Sequence, residues 1–141
     1  MLIVDDSATL RDLIRGVLAD EERIDVVGQA GTGGQAISLV EQLRPDIVTM
    51  DVEMPDMNGL EATRRIMATH PTPILIVTGH RDVSDQNVIF EAMKAGAVDV
   101  MAKPENTRHA QEEWKAELVG KIHALSAAGK KVRSAGRDKG S

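Results

Sequence analysis

The chain has 141 residues, which is enough for one domain with a hydrophobic core and too few for two. Its 42% hydrophobic and 28% charged residues are typical of a globular protein. Because it has no cysteine, it can form neither disulfides nor a thiolate metal site. It has no long apolar run and no signal-peptide pattern, so we expect a cytoplasmic protein without membrane insertion.

The formal charge of −5 is unevenly distributed along the chain. From Gly129 onward five basic residues face one acidic residue, a net +4, so residues 1–128 carry −9. This acidic body argues against a nucleic acid partner. The Gly, Ser and Lys content of residues 129–141 indicates a basic flexible tail or the start of an interdomain linker. We therefore expect one folded domain over residues 1–128.

The first half of this domain holds three short apolar runs that predict strands, at residues 2–4, 25–30 and 47–50. After the first run, apolar residues recur every three or four positions from Leu10 to Leu18, which predicts an amphipathic helix. A second helix follows the glycine-rich turn after residue 30. It ends before Pro45, which cannot continue a helix.

The second half repeats the alternation of strands and helices. A helix from about Leu60 precedes a strand at residues 74–77, and a helix over residues 83–94 precedes a strand at 98–101. The last helix carries one apolar stripe, formed by Trp114, Leu118, Ile122 and Leu125. The remaining large apolar side chains are predicted to fill the core: Phe90 and the methionines at 50, 67, 93 and 101.

Five strand–helix units with short connections predict a parallel sheet covered by helices on both faces. Right-handed crossovers then favour a flavodoxin-like, doubly wound five-stranded α/β fold with strand order 2-1-3-4-5 and five helices.

Acidic residues end two of the predicted strands. Asp5 and Asp6 follow the first strand, and Asp51 follows the third. If these strands are neighbours, the three carboxylates meet at the carboxyl edge of the sheet, where open α/β folds bind ligands. Close like charges repel unless a proton or cation intervenes, so the cluster predicts a divalent metal, and Mg²⁺ suits oxygen ligands.

The same edge is predicted to hold Glu53, Thr78 and Lys103. Acids, a hydroxyl and an ammonium together suit phosphoryl transfer, which needs positioning and neutralisation of negative charge. In such a site Asp51 supplies the nucleophilic oxygen and Lys103 the second positive charge.

The order and spacing of these residues resemble the receiver domain of two-component response regulators. The matching stretches are residues 2–7, Asp51 with the Met-Pro and Gly that follow it, residues 77–79, and residues 95–97 leading to Lys103 and Pro104. The resemblance covers nearly all of residues 1–128. It implies a sensor histidine kinase as partner, a phosphoacceptor role for Asp51, and an often cis bond between Lys103 and Pro104.

The resemblance also implies roles for the other residues of this edge. Asp5 and Asp6 would hold Mg²⁺ together with Asp51 and the backbone carbonyl of Glu53. Thr78 would donate a hydrogen bond to the phosphoryl group, and Lys103 would pair with it. One position departs from the family pattern, because Val100 stands where receivers commonly carry the Tyr or Phe that acts as a rotamer switch.

Residues 51–62, 66–67 and 71–74 resemble, more narrowly, the regulatory domain of chemotaxis protein-glutamate methylesterase. That resemblance implies a parent hydrolase with a C-terminal esterase effector domain, which this sequence lacks. The chain would then be an isolated regulatory domain or a free-standing single-domain chemotaxis response regulator. For the domain alone we expect no enzymatic activity beyond self-phosphorylation and self-dephosphorylation.

Two other functions stay open. The first is a Mg²⁺-dependent phosphohydrolase of the aspartyl-nucleophile type, because residues 51–53 resemble the Asp-x-Asp pair of haloacid dehalogenase-like enzymes. No second acid pair follows downstream, which disfavours it. The second is a degenerate receiver used only for protein binding, which is disfavoured because every charged position of the site is filled.

Overall fold

The computed structural model describes residues 1–104 and 108–140, and these residues form five strands and six helices. The strands are β1 (Leu2–Val4), β2 (Gly28–Ala30), β3 (Val48–Met50), β4 (Ile74–Thr78) and β5 (Asp99–Ala102). The helices are α1 (Ala8–Leu18), α2 (Gly33–Leu43), α3 (Gly59–Thr69), α4 (His80–Val83), α5 (Gln86–Ala95) and α6 (Arg108–Gly140).

The strands form one parallel sheet in the order β2-β1-β3-β4-β5. In the middle of the sheet Thr49 of β3 lies between Ile3 of β1 and Leu75 of β4. The predicted flavodoxin-like topology is therefore confirmed. Because β1 and β3 are neighbours, the acidic residues that follow them share one edge of the sheet.

The core lies in two layers, one on each face of the sheet. One layer packs strand side chains against α2, α3 and α5, and the other packs them against α1 and α6. The predicted stripe of the last helix belongs to the second layer, where Trp114, Leu118 and Ile122 are buried. Side chains on both faces of β1, β3 and β4 are buried, as expected of the central strands of a parallel sheet.

The predicted helix over residues 83–94 is divided in two. The short helix α4 ends at Val83, and α5 begins anew after Asp85, whose carboxylate accepts a hydrogen bond from the backbone N–H of Asn87. An aspartate that caps a new helix takes a non-helical conformation itself, so it interrupts the preceding one. The sixth helix of the structure arises in this way.

Two side chains predicted to fill the core lie on the surface instead. Phe90 is 65% exposed and Met93 is 48% exposed, both on α5. The helix turns Val88 and Ala92, which are four residues apart, towards the sheet, so Phe90 and Met93 face outward. Together with Ile89 they form the apolar face of α5, a name kept for these three exposed side chains below.

Helix α6 continues to Gly140, through most of the segment for which we predict a tail or linker. The domain boundary after residue 128 stays a prediction, and Ser141 lies outside the described residues. In the described part of the chain, no helix combines the length and apolar character needed to cross a membrane.

Candidate functional site

Three carboxylates meet where β1 and β3 end. Asp5 directly follows β1 and Asp51 directly follows β3, and the backbone N–H of Asp51 donates to the carbonyl of Val4 at 3.0 Å. One carboxylate oxygen each of Asp5, Asp6 and Asp51 lies within 4.8 Å of the others. Asp5 and Asp51 are buried, whereas Asp6 is exposed. These three residues are called the acidic cluster below.

The acidic cluster is electrostatically strained. Burial, together with the nearby charge of Asp5, raises the pKa of Asp51 from 3.8 to about 6, although Lys103 opposes the shift. A shift of about two units means that ionising Asp51 costs roughly 3 kcal/mol more in the metal-free chain than ionising an aspartate with the ordinary pKa of 3.8. An all-oxygen donor set with excess negative charge fits Mg²⁺, so these residues could hold that ion.

Lys103 supplies a positive charge to the acidic cluster. Its Nζ lies 3.0 Å from Oδ2 of Asp5 and 3.3 Å from Oδ2 of Asp51. Burial lowers the pKa of Lys103, but its hydrogen bonds to and charge attraction by Asp5 and Asp51 outweigh that effect and raise the pKa overall. The ammonium therefore stays charged between the two carboxylates.

The backbone of Lys103 also ties it to the site. Its N–H donates to the carbonyl of Thr78 at 2.8 Å, which fixes the start of the segment after β5 against the end of β4. The cis bond between Lys103 and Pro104 that the resemblance implied is wrong for this structure, in which the bond is trans. The backbone hydrogen bond between Lys103 and Thr78 is therefore present with a trans bond before Pro104.

Thr78 lies on the other side of Asp51. Its Oγ1 is 3.3 Å from Oδ1 of Asp51 and 3.2 Å from Oδ2 of Asp82, and its side chain is buried. The hydroxyl has one proton, so it can donate to only one of the two carboxylates at a time. Sequence reasoning missed Asp82, because it placed the next helix at residue 83 and not at His80, where α4 begins.

Glu53 lies at the rim of the site with its side chain exposed. It shares with Asp6, Asp51 and Lys103 the lining of an open cavity of about 260 Å³. The structure thus brings all six predicted site residues to one edge of the sheet. That Glu53 binds a metal through its backbone carbonyl stays a prediction.

Two contacts fix the loop between Asp51 and α3. A Cβ atom at Gly59 would lie only 1.9 Å from the carbonyl oxygen of Asp51, so this close approach of two backbones requires glycine. The carboxylate of Asp56 accepts hydrogen bonds of 2.8 Å from the N–H groups of Gly33 and Gly34 at the start of α2. Sequence reasoning missed this contact, since no local pattern marks it.

The five-stranded parallel sheet has an acid after each of two neighbouring strands, a hydroxyl on β4 and a lysine after β5. This combination of fold and site residues defines the class of receiver domains. A model of the response regulator receiver domain matches residues 1–115. The chain belongs to the response regulator receiver domain family.

Similar proteins define the relationship more narrowly. The chain is 44% identical over 133 residues to protein-glutamate methylesterase/protein-glutamine glutaminase 4 of Geobacter metallireducens, covering 94% of this chain and 38% of that protein. It is 52% identical over 103 residues to the protein-glutamate methylesterase/protein-glutamine glutaminase of Haloarcula marismortui, covering 73% of this chain and 27% of that protein. The chain therefore spans less than half the length of these curated relatives.

Among solved structures, the response regulator domain of Thermotoga maritima CheB superposes with a TM-score of 0.80 at 34% identity. The match covers 89% of this chain and 94% of that one. The resemblance to the regulatory domain of a chemotaxis methylesterase is thus confirmed.

Proposed function

We propose that Asp51 accepts a phosphoryl group from a sensor histidine kinase and that this modification switches the domain between two states. The observation that supports the proposal is the position of the Asp51 carboxylate, with Lys103 on one oxygen and Thr78 on the other. A carboxylate in this position can attack phosphorus, and the neighbouring cation and hydroxyl can stabilise the negative charge of the transferred group.

In the transfer, a carboxylate oxygen of Asp51 forms a bond to phosphorus as the bond between phosphorus and the kinase histidine breaks. The leaving imidazole takes up a proton, and an acyl phosphate remains on Asp51. Lys103 pairs with the new negative charge, and Thr78 donates a hydrogen bond to a phosphoryl oxygen.

Mg²⁺ held by Asp5, Asp6, Asp51 and the Glu53 carbonyl would, when bound, neutralise charge on the transferred group. Two observations support this metal: the three carboxylates converge, and burial beside Asp5 holds the pKa of Asp51 at about 6. A dication relieves the repulsion that raises this pKa.

The proposed output of the switch is control of an esterase effector domain in a cytoplasmic chemotaxis protein. The methylesterase relatives extend well beyond the region that this chain matches, which supports such a partner. The apolar face of α5 offers a surface for the contact, since Phe90 and Met93 lie exposed there. A free-standing chemotaxis response regulator is the second candidate, and it would use the same phosphorylation site.

The test is phosphorylation of the chain by acetyl phosphate with Mg²⁺, followed by intact-protein mass spectrometry. We expect the wild-type chain to gain one phosphoryl group and to bind beryllofluoride, and Asp51→Asn to do neither. A wild-type chain that gains no mass and binds no beryllofluoride would refute the proposal. Repeated turnover of a simple phosphomonoester would instead support the phosphohydrolase alternative.

A further inference from the structure

Asp82 has a contact with the site that the proposed phosphoryl transfer does not use. It lies on the short helix α4, and its Oδ2 is 3.2 Å from Oγ1 of Thr78. The same Oγ1 is 3.3 Å from Oδ1 of Asp51. Two carboxylates therefore lie at nearly equal distances from one hydroxyl, which has a single proton to donate. Asp82 and Asp51 therefore compete for the same donor.

Phosphorylation of Asp51 would change the outcome of this competition. A phosphoryl group adds a charge of about −1.5 to −2 and three strong acceptor oxygens at neutral pH. Thr78 would then donate to a phosphoryl oxygen and could no longer donate to Asp82. The new dianion would also repel the Asp82 carboxylate, which lines the same cavity as Asp51.

The helix that carries Asp82 is only about one turn long. It comprises four residues, His80–Val83, and begins directly after the glycine that follows Thr78. Its C-terminal end leads through Asp85 into α5, where the Asp85 N–H donates to the carbonyl of Asp82 at 3.1 Å. A movement of Asp82 would therefore be passed to the first turn of α5.

The contact between Thr78 and Asp82 also offers a coupling route that does not depend on β5. Val100 of β5 cannot make the ring movement of an aromatic side chain, and it packs at the edge of the first core layer. Helix α5, by contrast, contacts α4 directly and carries Phe90 and Met93 on its outer face. A route from Thr78 through Asp82 to α5 needs no aromatic residue on β5.

We propose that Asp82 is a positioning residue of the switch, which holds the Thr78 hydroxyl in the unphosphorylated chain and releases it when Asp51 is phosphorylated. The release frees α4 and the start of α5 to move. This inference rests on the proposed function, because it requires a phosphoryl group or its mimic on Asp51.

The test is a double-mutant cycle on beryllofluoride affinity in saturating Mg²⁺, with Asp82→Ala, Thr78→Val and the double variant. Removing a competing acceptor should tighten beryllofluoride binding by about fivefold, the factor expected for one net hydrogen bond. In the Thr78→Val background no donor remains, so Asp82→Ala should tighten binding less than it does in the wild-type background, because only the relief of charge repulsion is left. Asp82→Asn, which keeps an acceptor but loses the charge, should fall between wild type and Asp82→Ala.

Amide NMR spectra add a readout of position. In the free Asp82→Ala chain, the amide signals of residues 83–90 should lie part of the way towards their positions in beryllofluoride-bound wild type. Equal tightening in both Thr78 backgrounds would show a purely electrostatic effect of Asp82 and overturn the inference, as would no tightening at all. If wild type binds no beryllofluoride, the proposed function fails first, which separates the two failures.

Discussion

Lys103 Nζ lies 3.3 Å from Oδ2 of Asp51 and so provides the positive charge nearest to the proposed phosphoacceptor in the described part of the chain. The same ammonium lies 3.0 Å from Asp5. Two buried carboxylates therefore share one cation, and burial, together with the nearby charge of Asp5, holds the pKa of Asp51 at about 6. The proposed metal and the proposed phosphoryl chemistry both follow from this imbalance.

Replacing Lys103 should destabilise the metal-free chain. We expect Lys103→Met to lower the free energy of unfolding at pH 7 by about 2 kcal/mol, because two buried carboxylates lose their cation. The loss stays below the ~3–5 kcal/mol of a fully buried pair since the Lys103 side chain is 27% exposed. Urea denaturation of both chains measures the difference.

Lys121→Met is the matched control for this prediction. Lys121 pairs with Asp99, whose side chain is 43% exposed, so its loss should cost less than about 1 kcal/mol. Equal losses in the two variants would mean that Lys103 does not neutralise a buried charge.

The raised pKa of Asp51 predicts a pH dependence of stability. The carboxyl binds its proton more tightly in the folded chain, with a pKa of about 6, than in the unfolded chain, with 3.8. Its contribution to stability therefore rises as the pH falls through about 6 and is complete below about 3.8. Asp51→Asn should remove this component and stabilise the metal-free chain at pH 7 by about 3 kcal/mol.

The measurement is urea denaturation of both chains from pH 4 to pH 8 with a chelator present. The difference between Asp51→Asn and wild type should shrink steadily as the pH falls below 6. A difference that does not vary with pH would contradict the raised pKa.

Gly59 is predicted to be irreplaceable for a steric reason. A methyl group there would overlap the backbone of Asp51, so Gly59→Ala should cost about 3 kcal/mol or more and displace Asp51. Gly16→Ala is the control, because nothing lies within 4 Å of a Cβ atom at Gly16 on α1. That change should stabilise the chain by up to about 1 kcal/mol. Thermal denaturation of both variants tests the contrast.

Thr49 is predicted to weaken the sheet. Its hydroxyl is buried without a hydrogen-bond partner among the described residues, between Ile3 and Leu75. Thr49→Val should therefore raise the free energy of unfolding by about 1 kcal/mol. Thr63→Val should do the opposite, because the buried Thr63 hydroxyl donates to the carbonyl of Gly59 at 2.8 Å. A loss of stability in Thr49→Val would contradict this interpretation.

The acidic cluster could be predicted from the sequence because it depends only on where two strands end and on which strands are neighbours. Asp5 and Asp51 each follow an apolar run, and parallel strands in the expected order place such residues at one edge. The same reasoning failed for Phe90 and Met93, since α5 has more apolar side chains than one helix face can bury. Apolar character alone does not tell which of them face the sheet.

The contacts of Asp82 and Asp56 escaped prediction for a different reason. Asp82 meets Thr78 only because a four-residue helix begins at His80, and the sequence pattern gave no sign of that start. Asp56 meets Gly33 and Gly34, which lie 23 and 22 positions earlier in the chain. Contacts of this kind depend on how loops dock in three dimensions, and no periodicity reports them.

The most direct test of the central claim is to trap the acyl phosphate chemically. The chain is incubated with acetyl phosphate and Mg²⁺ and then reduced with borohydride, which converts an aspartyl phosphate to homoserine. Peptide mass spectrometry locates the modified residue. The account predicts homoserine at position 51, and no homoserine when Mg²⁺ is chelated. Homoserine at Asp5 or Asp6, or none anywhere in the presence of Mg²⁺, would contradict it.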